Sequence, residues 1–213
     1  MRLISINVAQ PRLVSVDGET YETAIYNEPV ARAYLHRLNF DGDRQADLSV
    51  HGGPDKAVYS YSFDHYPHWE TFLGRKLQPG AMGENLTIEG WDEREICIGD
   101  TYQIGEAQLQ ISQPRQPCFK FGDKMGRADA LKEMIHTGFA CAYLRVVGEG
   151  LVKTGDAVEL LHRHPAGLTV AYACRVEYFH ADGTEGLRRL IAVKELSAGW
   201  RRRAGQKLAR LGR

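Results

Sequence analysis

Short stretches that alternate apolar and polar residues fill the first 163 residues of the chain, and after them the pattern becomes helical. Successive strand side chains point to opposite faces, so a period of two marks a half-buried strand. Residues 3–9, 23–30, 55–62, 86–90, 96–105, 107–114, 140–147 and 157–163 carry this pattern, with Gly, Pro and Asp between them. Many short strands with turn residues at close intervals predict a mainly β fold, a barrel or a sandwich. Two helices are expected to interrupt it. One spans 64–73, with Pro67 in its first turn and Gly74 at its end. The other spans 127–136, where Leu131, Met134 and Ile135 share a face and Gly138 sits just beyond.

The segment 162–167, His-Arg-His-Pro-Ala-Gly, reads as a linker. Three helices are expected after it. The first covers 169–179. Asp182, Gly183 and Thr184 offer a turn and an N-cap before Leu187, Leu190 and Ile191 at helical spacing. Ser197 is an N-cap candidate before Trp200, Leu208 and Leu211. The expected organisation is a strand-rich domain over 1–163 and a three-helix domain over 164–213. The second is below the size that usually folds alone, so it should dock on the first.

Charge balances at 27 basic and 27 acidic residues, but unevenly. From Thr184 to Arg213 there are nine Lys or Arg against two Glu, a net of +7, which leaves −7 for the rest. Such a tail suits nucleic acid, an acidic partner or merely a solvated helix face. No run of about 18 apolar residues is present, so no membrane helix is expected. The N-terminus lacks the pattern of a signal peptide, and the expected location is cytoplasmic. The four cysteines, Cys97, Cys118, Cys141 and Cys174, are too far apart for a C-x-x-C metal or redox motif. Cys97, Cys141 and Cys174 lie in apolar runs and read as small buried hydrophobes.

Four segments carry candidate chemistry. In Gln113-Pro114-Arg115-Gln116-Pro117-Cys118-Phe119-Lys120, two prolines stiffen the approach to Cys118. Arg115 and Lys120 bring positive charge, which favours a thiolate, the form that attacks or binds a soft metal. A buried inert thiol is the alternative. In His51-Gly52-Gly53-Pro54-Asp55-Lys56, the glycines free the backbone to form an anion-binding concavity flanked by His51 and Lys56, or else a plain turn. In Gly80-Ala81-Met82-Gly83-Glu84-Asn85, Glu84 and Asn85 suit either a heterocycle edge or a loop turn. Arg145 stands inside an apolar strand and requires a buried carboxylate or a bound anion.

Together these segments resemble the MOSC domain, named for the C-terminal domain of molybdenum cofactor sulfurases, and within it the YiiM-like bacterial branch. The matching stretches lie between Val50 and Asp156, with Pro114-Arg115-Gln116-Pro117-Cys118 as their core, and the three C-terminal helices resemble the helical domain of that branch. The resemblance implies a MOSC-type β-barrel and a molybdenum–pterin cofactor whose metal takes the thiolate of Cys118. It implies that His51, Gly52, Gly53, Lys56, Asn85, Arg115, Lys120 and Arg145 hold the pterin and its phosphate. No pyridoxal phosphate is expected in this chain.

The implied activity is two-electron removal of oxygen from N-hydroxylated compounds, such as hydroxylamino nucleobases, to give amines. His51 is the candidate proton donor, since imidazole titrates near neutrality. The chain has neither iron–sulfur spacing nor a G-x-G-x-x-G turn, so a separate flavin-containing reductase is the expected electron donor. A carrier of molybdenum cofactor, or of sulfur as a Cys118 persulfide, is the alternative. Neither a membrane nor nucleic acid is an expected partner, and the sequence admits a homodimer.

Overall fold

Alternation along the chain becomes twelve strands and six α-helices in the computed structural model, which describes residues 1–47 and 52–211. In chain order these are β1 (Arg2–Val8), β2 (Arg12–Val16), β3 (Glu19–Thr23), β4 (Glu28–Val30), β5 (Arg32–Leu35), β6 (Val58–Ser62), α1 (Tyr66–Leu73), β7 (Leu86–Glu89), β8 (Thr101–Ile104), β9 (Ala107–Pro114), α2 (Phe119–Met125), α3 (Ala130–Thr137), β10 (Ala142–Gly148), β11 (Gly150–Lys153), β12 (Val158–His162), α4 (Val170–Phe179), α5 (Gly183–Ala192) and α6 (Ala198–Leu211). Eight strands form one mixed sheet in the order β12-β8-β9-β10-β6-β7-β1-β4. Its one parallel pair, β6 with β7, is joined through α1, as parallel neighbours require a crossover. Two antiparallel pairs, β2–β3 and β5–β11, stand apart from the sheet.

The sheet curls but does not close into the expected barrel. Arg2 bridges Ala157, and Leu3 N–H donates to Asp156 O at 3.0 Å while Val158 N–H donates to Met1 O at 3.0 Å. Beyond that point β4 takes the outer edge of β1, pairing Val30, Pro29 and Glu28 with Ile6, Asn7 and Val8. β12 therefore reaches only the first residues of β1, and the two ends meet at a corner rather than along a ladder.

Helix ends follow their glycines. Gly74 ends α1 at φ 66° and Gly138 ends α3 at φ 75°, left-handed values that glycine adopts without strain. In the tail, Ser197 Oγ accepts Trp200 N–H at 3.4 Å, the cap expected there, and Thr169 Oγ1 accepts Tyr172 N–H at 3.1 Å and caps α4. Asp182 precedes α5 at φ 53° and makes no capping bond of its own. The three helices dock on the sheet. Ile98 N–H donates to Leu168 O at 2.8 Å, and Ser197 N–H donates to Ser112 O at 2.9 Å. Trp200, Leu190 and Ala204 are buried in the same apolar core as the strands. Among the described residues no helix is long and apolar enough to cross a membrane.

Asp100 holds the approach to this helical layer. Its fully buried carboxylate accepts Cys97 N–H at 2.9 Å, Arg163 Nη1 at 2.8 Å and His164 N–H at 2.9 Å. Removing one partner from such a group leaves the others uncompensated. Asp100→Ala leaves the buried N–H groups unpaired and is expected to lose about 1–3 kcal/mol, seen as a lower urea midpoint with an unchanged slope. An unchanged midpoint would show that the carboxylate does not hold the helical layer.

Candidate functional site

Strand β9 runs out at Pro114, and the chain then passes through Pro117 to Cys118, which stands extended at φ −122° and ψ 169° as the N-cap of α2. The Cys118 side chain makes no capping bond and is partly exposed. It lines an open pocket.

Cations surround that thiol. Arg115, Lys120, Lys56 and Arg44 all line the pocket. Arg115 is only 4% exposed. Its Nη1 donates to Met82 O at 2.8 Å and to Tyr59 Oη at 3.1 Å, and the guanidinium lies over the rings of Tyr59 and Phe121 at 4.5 and 4.8 Å. No carboxylate among the described residues pairs with it within 4 Å. A buried charge without a counter-charge is costly unless a bound anion supplies one. Lys120 Nζ donates to Glu22 O at 2.8 Å on the rim. Lys56 lies beside the Tyr143 ring, and burial, then the charge of Arg203 on α6, push its ammonium below the usual lysine range.

Other residues expected at the site fall differently. Gly52 lines the pocket, whereas Gly53, at φ 79°, is the residue before a short 3-10 turn over Pro54–Lys56. His51 lies outside the described residues. Asn85 also lines the pocket, but its amide serves the fold: Oδ1 accepts Tyr59 N–H at 3.0 Å and Nδ2 donates to Asn7 O at 3.2 Å. Glu84 is fully buried, and its Oε1 accepts from Tyr66, Gly80 and Thr87. These bonds occupy both side chains in the fold, while Asn85 still lines the pocket.

Arg145 is not among the residues that line this pocket. Its Nε and Nη2 grip Asp55 Oδ1 at 3.2 and 2.7 Å, Nη1 donates to Gln110 Oε1 at 2.8 Å, and Nη2 donates to Glu195 O at 2.8 Å. Of the two partners open to it, the carboxylate is the one present. Arg145 thereby steadies the turn that carries Lys56 and ties it to the helical layer.

Sequence reasoning missed the opposite wall, made by Asp43, Arg44 and the loop at Thr23–Asn27. Asp43 is buried, its Oδ1 accepts Ala9 N–H at 2.9 Å, and burial raises its carboxyl above the ordinary range. Gly83 lets the loops meet there: at φ 80°, a Cβ would come within 2.7 Å of Ile25 Cγ1.

Lys124 underlies the same wall, donating to Ile25 O and Gly80 O at 2.6 Å each. Burial, only partly offset by Glu84, lowers it to about 7. A lysine whose folded value lies below its unfolded one contributes stability that is present above about 10.5 and is lost as pH falls toward 7. The stability of the parent relative to Lys124→Met is therefore expected to rise between pH 7 and 10. A difference between the two that does not change with pH would contradict the shift.

The donor set fits an anionic group with a soft metal: one accessible thiol, four surrounding cations and a buried guanidinium lacking a carboxylate. Comparison with known proteins agrees with the geometry. Residues 47–159 match the MOSC domain, and residues 168–211 match the YiiM-like, 3-alpha helix domain. The chain is 44% identical over 200 residues to YflK of Bacillus subtilis (strain 168), an uncharacterized protein, covering 93% of this chain and 90% of that one. It is 40% identical over 165 residues to a protein named Reductase from Gibberella moniliformis, covering 76% of this chain but 29% of that protein. The crystal structure of YiiM from Geobacillus stearothermophilus superposes with a TM-score of 0.82 at 32% identity, covering 96% of this chain and 97% of that one.

Proposed function

The chain belongs to the MOSC domain family, and from that premise we propose that it is a cytoplasmic oxidoreductase that removes oxygen from N-hydroxylated compounds with a molybdenum–pterin cofactor seated beside Cys118. The observation that carries the reading is the partly exposed Cys118 thiol on a pocket wall with the uncompensated Arg115 cation. Cys118 holds the metal as a thiolate, while Arg115, Lys120 and Lys56, with the backbone at Gly52, hold the anionic part of the cofactor. Bound there, the cofactor supplies the two-electron chemistry that turns an N-hydroxyl group into an amine.

The surrounding chain positions these groups. Tyr59, held by its own hydroxyl on Ala140 O at 3.1 Å, fixes the Arg115 plane. Asp43 engages Ala9 N–H through Oδ1 and so fixes the pocket wall that faces Cys118. Electrons come from a separate flavin-containing reductase.

The test is amine formation from a hydroxylamino nucleobase by protein made in a cofactor-competent host, with nicotinamide reductant and an added flavin reductase. Turnover that needs both proteins supports the reading. Turnover without the reductase overturns its two-component part. No turnover by metal-loaded protein, together with a persistent sulfur adduct on Cys118 by mass spectrometry, replaces it with a carrier.

A further inference from the structure

A second cluster of ligand-type side chains lies outside the Cys118 pocket and shares no lining residue with it. His65 follows β6, Glu93 follows β7 and Cys141 precedes β10, so neighbouring strands bring the three together. His65 Nε2 is 2.8 Å from Glu93 Oε2, and Cys141 Sγ is 3.0 Å from Glu93 Oε1. One nitrogen, one oxygen and one sulfur all fall within 4.8 Å of one another. The imidazole is stacked on Phe139 at 3.8 Å and 10°, which fixes its plane. Cys141 takes φ 48°, uncommon for a residue with a side chain, and in that conformation its N–H also donates to Glu93 Oε1 at 3.0 Å. His65 and Glu93 face a broad surface pocket.

A buried hydrogen-bonded triad would explain these contacts but not their neighbours. Ser62 and Trp91 are fully buried residues that line the same pocket, and among the described residues Ser62 Oγ and Trp91 Nε1 have no hydrogen-bond partner. Ser62 touches the cluster directly, its N–H donating to Cys141 Sγ at 3.2 Å. Buried polar atoms are almost always partnered, so two orphans on residues that line the pocket beside the cluster are consistent with something bound there.

We propose that His65, Glu93 and Cys141 form a second metal site, for a zinc-class divalent ion, independent of the molybdenum–pterin pocket. Imidazole, carboxylate and thiolate together suit zinc, and three protein ligands leave a fourth position open toward the pocket. On binding, the Cys141 thiol releases its proton to solvent, and the metal–sulfur bond replaces the Sγ–Glu93 hydrogen bond.

Cobalt(II) added to metal-free full-length protein tests the site, because a thiolate ligand gives a near-ultraviolet charge-transfer band. The parent and Cys118→Ser are expected to bind one equivalent with that band, and zinc should displace it. Cys141→Ser should lose the band, and His65→Asn should bind at least about 10-fold more weakly. No band in the parent overturns the proposal, as does a band that survives in folded Cys141→Ser. Should Cys141→Ser fail to fold, unchanged binding by both His65→Asn and Glu93→Gln overturns it equally. Loss of the band in Cys118→Ser would assign the cobalt to the first pocket instead.

Discussion

Replacing Cys118 by alanine is expected to leave the fold intact and to abolish the proposed metal binding. The Cys118 side chain makes no capping bond and is only partly buried, so stability should change by no more than about 0.5 kcal/mol. Among the described residues that line the pocket, the Cys118 sulfur is the one soft ligand atom. Molybdenum retention and turnover are therefore expected to fall by more than about 100-fold, beyond the 10–100-fold usual for groups that merely support a ligand. Metal analysis beside a thermal melt separates the two effects. Cys174→Ala is the control: it packs in the core, so it should cost stability without emptying the Cys118 pocket. Retained metal in folded Cys118→Ala would remove the thiolate from the site.

Arg115→Met carries the second large effect and divides differently. It deprives Met82 O of its donor, a cost of about 1–3 kcal/mol. Tyr59 Oη keeps its bond to Ala140 O. Against that cost stands relief of a buried cation with no carboxylate partner, so the net loss should stay below about 3 kcal/mol. Cofactor retention should nevertheless fall at least about 10-fold, since charge-assisted bonds contribute about 1.5–3 kcal/mol each. Arg115→Lys keeps the charge but not the planar fork stacked between Tyr59 and Phe121, and should recover only part of the loss. Full retention by Arg115→Met would show that the guanidinium serves packing alone.

How far the sequence disclosed this depends on range. Strands with one buried face, such as β9 and β10, announce themselves by alternation, and helix ends announce themselves by Gly74 and Gly138. The β2–β3 hairpin was missed because most of its residues are exposed, so no face alternates strongly; Asp17 and Gly18 at its tip, both at positive φ, were the available signal. Helix α2 has seven residues and follows two prolines, too short for a period to show. Arg145 is an instructive case. Sequence requires a partner for its charge, but Asp55 lies 90 residues away, and only the register of β10 brings them together. Asp43 and Arg44, on the far wall of the pocket, carry no motif at all. Barrel closure failed for a similar reason, because three residues of β4 occupy the edge that β12 would need.

The most direct measurement is the molybdenum and pterin content of the unaltered protein purified from a cofactor-competent host. Near-stoichiometric metal with an equal amount of pterin is the expected result. Folded protein from a cofactor-replete host that contains neither would contradict the assignment of the Cys118 pocket to a molybdenum–pterin group.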